Sequence, residues 1–150
     1  MFDAAPTPWT TESKLRLADP VYTLANMDAV IRCLKPAVER SKGEWKVGDI
    51  IALILQGTMQ LWTSERSGEV EAVCVTQLLF WPRMKALNFV FIGGEKAGNW
   101  IAMDDEIAKW AASQGCTELR GVFDMDRKGW WRWISRKGWE PAYTIVRKPI

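Results

Sequence analysis

A chain of 150 residues, 48% of them hydrophobic and 25% charged, is long enough to bury one core and too apolar to be disordered. Its net charge of +2 is too small to indicate a nucleic-acid partner by itself. Histidine is absent, which excludes the commonest general base and metal ligand, so we expect no metal site.

The cysteines and the N-terminal residues bear on the compartment. Cys33, Cys74 and Cys116 are odd in number and form no C-x-x-C pair, and the first two lie in apolar runs, so they are predicted to be core thiols in a reducing compartment. Residues 1–9 lack a basic start and an apolar run, and the apolar residues 50–55 are too few for a bilayer. We therefore expect no signal peptide and no membrane span.

The N-terminal part is predicted to hold an irregular arm and two helices. Residues 1–20 carry three prolines and are expected to be irregular, followed by a short extended piece over 21–24. Apolar residues at helical spacing predict a helix over 27–40, which Pro36 should kink or end. A second helix is predicted over 47–55, with Gly57 as its stop.

The period then changes to that of strands. Strands are predicted over 59–64, 70–80 and 87–92, and their short connections favour an antiparallel meander. A glycine turn follows, and then a helix from about Asn99 to Gly115 with Asp104 on its polar side. A strand over 117–123, a tryptophan-rich helix over 128–136 and a last strand over 139–147 complete an α/β chain.

This order of elements resembles the GNAT acyltransferase superfamily over residues 21–148. The resemblance is clearest in three segments: Asn88-Phe-Val-Phe-Ile-Gly-Gly, Trp110-Ala-Ala-Ser-Gln-Gly-Cys116 and Arg136-Lys-Gly-Trp139. It implies a central mixed, mostly antiparallel sheet flanked by helices, in a single domain over 21–150 that follows the N-terminal arm 1–20.

Members of that superfamily bind the pyrophosphate of acyl-CoA at a loop of pattern (Q/R)-x-x-G-x-(G/A), because backbone amides at a helix start must approach the phosphates. The matching window is 95–100. Gly98 fits the first glycine, whereas Glu95 replaces a neutral or basic residue and Trp100 a small one. If acetyl-CoA binds, the resemblance implies these candidate residues: Gly93, Gly94, Lys96, Ala97, Gly98 and Asn99.

The resemblance also provides a test for proton delivery. Many acetyltransferases of this fold carry a tyrosine that protonates the leaving thiolate, and the matching position holds Ile134, which cannot donate a proton. The asparagine that precedes it in the family falls near Arg127. Tyr143 is the nearest alternative hydroxyl and is expected to pack.

A general base would be a carboxylate near the central strands. Four residues are candidates for this base. Glu69 and Glu71 are expected to be solvated, whereas Asp124 and Asp126 either face the cleft or cap the next helix. No catalytic residue is assigned from the sequence.

Three functions are compatible with these residues. The replaced loop and donor positions favour a GNAT-like protein without acyl-CoA chemistry, which resembles small virion-associated proteins of tailed bacteriophages. Such a protein would bind no cofactor, would contact other phage structural proteins, and would lie in the host cytoplasm or the virion.

The alternative is an active acetyl-CoA-dependent N-acetyltransferase. A third function is binding of single-stranded nucleic acid by the basic residues of 127–137 and the tryptophans between them. The ten tryptophans either fill the core or present a partner surface, and the candidates for protein contacts are Trp100, Trp130, Trp131, Trp133 and Trp139.

Overall fold

A computed structural model describes residues 13–94, 104–122, 132 and 134–150. In chain order it contains β1 (Ser13–Leu17), α1 (Pro20–Ala25), α2 (Met27–Glu39), α3 (Val47–Leu55), β2 (Gln60–Arg66), β3 (Glu69–Trp81), β4 (Met84–Gly94), α4 (Asp104–Ser113) and β5 (Glu118–Gly121). Residue 132 and residues 134–136 are also helical. Among the described residues, no helix is long and apolar enough to cross a membrane.

The five strands form one sheet in the order β1-β2-β3-β4-β5. The first four are antiparallel neighbours, as the short turns predict, and β4 and β5 are parallel. A parallel pair needs a crossover, which passes through α4. The expected mixed, mostly antiparallel sheet flanked by helices is confirmed.

Alternate residues of β3 divide between two cores, because successive side chains of a strand point to opposite faces. Val73 and Val75 pack with residues of α2 and α3 such as Leu34 and Ile50. Cys74 packs on the other face with residues of β4 and α4. Cys33 and Cys74 are buried, as the sequence predicts.

The prediction for residues 13–25 was wrong. The expected irregular arm includes β1, which pairs with β2, and the expected extended piece is helix α1. Asp19 caps α1, since its carboxylate accepts a hydrogen bond of 2.7 Å from the Tyr22 amide, and Pro20 takes the first helical position. This Asp-Pro pair is a helix-start signal.

The expectation that Pro36 ends α2 was wrong, because α2 continues to Glu39 with Pro36 exposed; the alternative, that Pro36 kinks the helix, stays a prediction. The expected last strand was also wrong. No strand forms over residues 139–147, and residues 140–150 are exposed without secondary structure. The alternating Tyr143 and Ile145 are a strand pattern, but a strand also needs a neighbour that supplies its hydrogen bonds.

Candidate functional site

The parallel neighbours β4 and β5 pair only over a short stretch. Residues 86–89 of β4 face Glu118–Gly121 of β5, whereas β4 continues to Gly94. Along residues 90–94, no strand of the described parts of the chain pairs with the side of β4 that faces away from β3. The peptide groups of this edge can therefore bind an extended ligand as an added strand would.

A bulge in β4 lies where the pairing with β5 stops. Phe89 pairs with Thr76 and Phe91 pairs with Val75, so Val90 is the extra residue. A bulge bends a strand and increases its twist, and the pairing of β4 with β5 ends directly before this one. We call the side of residues 90–94 that no described strand pairs with, together with the end of β5, the wedge, and Phe89 lies at its apex.

Gly93 and Gly94 at the end of β4 are required by close contacts within the protein. A Cβ atom on Gly93 would lie 2.2 Å from the carbonyl oxygen of Cys33 in α2. Gly94 has a φ of +103°, and its Cβ would lie 2.6 Å from the carbonyl oxygen of Glu71. Packing thus accounts for both glycines, while their part in cofactor binding stays a prediction.

Asp104 in the first turn of α4 connects this helix to residues 137–139, which follow the helical residues 134–136. Its Oδ2 accepts a 2.9 Å hydrogen bond from Trp139 Nε1, and its Oδ1 lies 3.4 Å from Lys137 Nζ. The Trp139 ring packs against Phe89, with the ring centroids 5.6 Å apart. We call Asp104, Lys137 and Trp139 the Asp104 cluster, which adjoins the apex of the wedge.

The ionisation of the Asp104 cluster reflects its burial. Burial raises the pKa of Asp104 above its usual value, although the Trp139 hydrogen bond and the charge of Lys137 oppose this shift. Burial lowers the pKa of Lys137, but the charges of Asp104 and Asp105 outweigh it and leave a net rise. Lys137 therefore stays protonated beside two carboxylates at neutral pH.

A row of polar side chains crosses the sheet on the face opposite α4. Gln77 pairs with Asn88, and Asn88 pairs with Arg120, so the three lie side by side. Their sequence neighbours Leu78, Leu87 and Leu119 pack in the core beneath α4, which places the row on the other face. All three are partly exposed and adjoin the apex of the wedge.

Arg120 is held at the end of this row by aromatic rings and one carboxylate. Its guanidinium lies 4.3 Å from the Trp81 ring centroid and 5.5 Å from that of Tyr143. It also forms a 2.6 Å ion pair with Glu118. Tyr143 is 78% exposed, so the expectation that it packs was wrong.

A separate open cleft of about 700 Å³ lies between α2, the turn after β2 and the end of β4. Two of its cations are already engaged: Arg66 faces Glu71 at 3.6 Å, and Arg32 donates to the carbonyl oxygen of Val70. The prediction of solvated carboxylates is confirmed for Glu69, which is exposed. It was wrong for Glu71, whose side chain is only 16% exposed.

No protein-family model and no curated protein matches this sequence. Among solved structures, the aminoglycoside N-acetyltransferase AAC(6')-Iy in complex with CoA superposes with a TM-score of 0.71 at 12% identity, over 95% of this chain and 97% of that chain. An aminoglycoside acetyltransferase from an uncultured soil metagenomic sample, in complex with sisomicin, gives 0.71 at 9% identity over 93% and 95% of the two chains. A GNAT family acetyltransferase of Staphylococcus aureus gives 0.66 at 8% identity over 93% and 100%.

The chain has the GNAT fold. The fold resemblance read from the sequence is thereby confirmed. Identities of 8–12% establish the fold alone, and the activity must be argued from the site. These comparisons do not support the expected relation to phage virion proteins.

The GNAT-fold candidate residues divide into described and undescribed positions. Gly93 and Gly94 lie beside the wedge, Ile134 is a core residue that is 2% exposed, and Trp139 is a packed member of the Asp104 cluster. The remaining candidates lie outside the described residues: Glu95, Lys96, Ala97, Gly98, Asn99, Trp100, Asp124, Asp126, Arg127, Trp130, Trp131 and Trp133.

Sequence reasoning missed the Asp104 cluster and the polar row. It placed Asp104 on the polar side of its helix, whereas this residue is 5% exposed. Asp104, Ile107 and Ala111 follow the i, i+3, i+7 spacing of one helix face, which is the signal that would have indicated its burial. The polar row depends on strand register, for which the sequence carries no local signal.

Proposed function

We propose that this protein is an acetyl-CoA-dependent N-acetyltransferase. The observation that carries the proposal is the wedge, where the pairing of β4 with its parallel neighbour ends at a bulge and no described strand pairs with the outer side of residues 90–94. The pantetheine arm of CoA is an extended chain with two amide groups. It therefore fits an edge that offers backbone donors and acceptors at strand spacing.

The fold neighbours support the same function. AAC(6')-Iy superposes over nearly its whole length and holds CoA, and two further neighbours are named as acetyltransferases. As the resemblance implies, the pyrophosphate of acetyl-CoA would be bound by the loop that follows β4. When bound, acetyl-CoA supplies an activated acyl group for transfer to an amine.

The polar row supports an acceptor site on the face opposite α4. Asn88 and Arg120 flank the apex of the wedge from that face, and both are partly exposed. Tyr143 adds an exposed hydroxyl-bearing side chain beside Arg120. An amine that approaches from this side would meet polar groups that can orient it before it reaches the acyl group.

Proton delivery would have to come from a position other than the one where the family carries its tyrosine. Ile134 stands at the matching position and is buried. Tyr143 is exposed and extends toward the polar row, so it is the side chain to test as proton donor by Tyr143→Phe. Loss of turnover with unchanged acetyl-CoA affinity would assign that role to the hydroxyl.

Isothermal titration of the purified chain with acetyl-CoA tests the proposal directly. We expect a Kd in the micromolar range and release of free CoA thiol when an amine acceptor is added. The amines to screen are aminoglycosides, polyamines, lysine-containing peptides and arylalkylamines. Absence of binding at millimolar acetyl-CoA would overturn the proposal.

Val90 offers a matched pair of variants for the binding edge. Val90 is the bulge residue, so its amide is not part of the regular β3 ladder. Val90→Pro and Val90→Ala both remove the isopropyl group, but only proline also removes the N–H donor. We expect Val90→Pro to raise the acetyl-CoA Kd about tenfold or more and Val90→Ala to change it less than about threefold. Equal effects would argue against binding along this edge.

A further inference from the structure

The open cleft between α2, the turn after β2 and the end of β4 is separate from the wedge. Residues 92–94 line it together with residues 69–71 at the start of β3, the strand with which this end of β4 pairs. The wedge is the side of β4 that faces away from β3. With a volume of about 700 Å³, the cleft has the size of a small-molecule site.

One wall of the cleft carries two arginines on a single helix face. Arg32, Pro36 and Arg40 all line the cleft, and they follow one another at intervals of four residues along α2 and its C-cap. A rise of 1.5 Å per residue separates the Cα atoms of Arg32 and Arg40 by about 12 Å. Arg32 donates a 3.1 Å hydrogen bond to the Val70 carbonyl oxygen, which uses one of the five N–H donors of its guanidinium.

The second wall is the tight turn between β2 and β3, which carries a carboxylate. Ser67 and Gly68 have positive φ values of +54° and +78°, as the two central residues of a type I′ hairpin turn do. Arg66 and Glu69 pair across this turn. The backbone of Glu69 is therefore fixed by the hairpin, while its side chain is exposed and lines the cleft.

The charges of the cleft divide into paired and unpaired groups. Arg66 and Glu71 face each other at 3.6 Å. In the part of the chain that the structure describes, no ion pair involves Arg32, Arg40 or Glu69. The cleft therefore presents two positive charges on one wall and one negative charge on the other that the protein does not neutralise.

We propose that this cleft binds an acidic α-amino acid, with Arg32 and Arg40 binding its two carboxylates and Glu69 binding its ammonium group. Guanidinium groups bind carboxylates through charge-assisted hydrogen bonds. A ligand with two carboxylates and one ammonium group carries the complement of the three unpaired charges. A dicarboxylate without the amine would bring like charge to Glu69, and an amino acid with one carboxylate would leave one arginine without a partner.

This proposal does not depend on acetyl-CoA binding at the wedge. The cleft and the wedge are on different sides of β4, and none of the three recognition residues belongs to the polar row or to the Asp104 cluster. The purified chain can therefore be tested without acetyl-CoA, and either proposal can fail while the other holds.

Three probes of related structure separate the charge contacts. The full chain is titrated calorimetrically with L-glutamate, with glutarate, which lacks the amino group, and with 4-aminobutyrate, which lacks the α-carboxylate. We expect L-glutamate to bind with a Kd below about 1 mM and the other two probes to bind about tenfold more weakly, since each loses one charge-assisted contact. An ionic strength of about 0.1 M screens exposed charges that lie more than about 10 Å away.

Arg40→Gln and Glu69→Gln test the two walls. Arg40→Gln should weaken both L-glutamate and glutarate about tenfold, whereas Glu69→Gln should weaken L-glutamate about tenfold and leave glutarate unchanged or tighter. The matched controls are Lys35→Gln and Glu39→Gln, which remove the same charges from exposed positions of α2 that do not line the cleft. Both controls should bind L-glutamate within about threefold of the wild type, and thermal unfolding of each variant verifies that it is folded.

Four results would overturn the proposal. The first is absence of L-glutamate binding at about 10 mM. The second is equal affinity for L-glutamate and glutarate, which would mean general attraction of anions. The third is an equal loss of affinity in the control variants. The fourth is unchanged L-glutamate binding in both Arg40→Gln and Glu69→Gln, which would place the ligand elsewhere on the protein.

Discussion

Gly93→Ala tests the packing of α2 against the end of β4. The new Cβ would lie 2.2 Å from the carbonyl oxygen of Cys33, 3.1 Å from its carbonyl carbon and 3.5 Å from the Cβ of Ala37. The closest of these atoms belongs to backbone and cannot rotate away. The distance from the new Cβ to this oxygen must therefore increase by about 1 Å, and only a shift of α2 or β4 in a densely packed core can provide that.

Overpacking of this kind costs about 1–3 kcal/mol, and we expect the upper end because backbone must move. For a chain of this size, about 3 kcal/mol corresponds to a fall in Tm of about 6–12 °C. Thermal unfolding followed by circular dichroism measures the shift, and urea titration gives the change in the free energy of unfolding.

Gly48→Ala is the matched control. Gly48 lies in α3, and no atom lies within 4 Å of its added Cβ. Alanine is the better helix former, so this variant should gain up to about 1 kcal/mol. If Gly93→Ala unfolds within about 2 °C of the wild type, the close approach of α2 to β4 is refuted.

Three further predictions concern a proline, a tryptophan and the Asp104 carboxyl. Pro36→Ala should stabilise the chain by about 1–3 kcal/mol, because α2 continues through Pro36, which lacks the N–H group that a helical residue donates. An unchanged or lower midpoint of urea unfolding would contradict this. Trp62→Phe should destabilise the chain by about 1–3 kcal/mol, since the 3.0 Å hydrogen bond from Trp62 Nε1 to the buried Thr76 hydroxyl is lost. Adding Thr76→Val should recover part of this loss. If the double variant recovers no stability, this bond does not contribute as described. Because burial raises the pKa of Asp104, the folded state binds this proton more tightly than the unfolded state. The free energy of unfolding of the wild type, relative to that of Asp104→Asn, should thus fall as the pH rises from the usual aspartate pKa of about 3.9 through the raised pKa of the folded state. Urea titrations from about pH 3 to about pH 7 measure this difference, and a constant difference would contradict the prediction.

The candidate site was only partly predictable from the sequence. The glycine-ended strand and the following helix were recognised, since the apolar run and the glycines that end it are local signals. The partners of Asp104 were not, because Lys137 and Trp139 lie more than thirty residues further along the chain. The wedge likewise depends on how far β5 pairs along β4, and composition and spacing do not encode this length.

The sequence by itself determined the elements whose pattern lies within one segment. α3 was predicted at its observed bounds, α2 to within one residue, and β2, β3 and β4 were predicted in order as an antiparallel meander. In these segments, apolar periodicity and turn residues favour one structure before any long-range contact forms.

Only the tertiary structure decided the elements that depend on a distant partner. Residues 13–17 are a strand because β2 offers them an edge, whereas residues 139–147 have a strand pattern and form no ladder in the described chain. Pro36 stays helical because α2 buries Leu34 and Val38 on either side of it in the core. Asp104 is buried because Trp139 and Lys137 meet it there. In each case, interactions between distant segments outweigh the local preference.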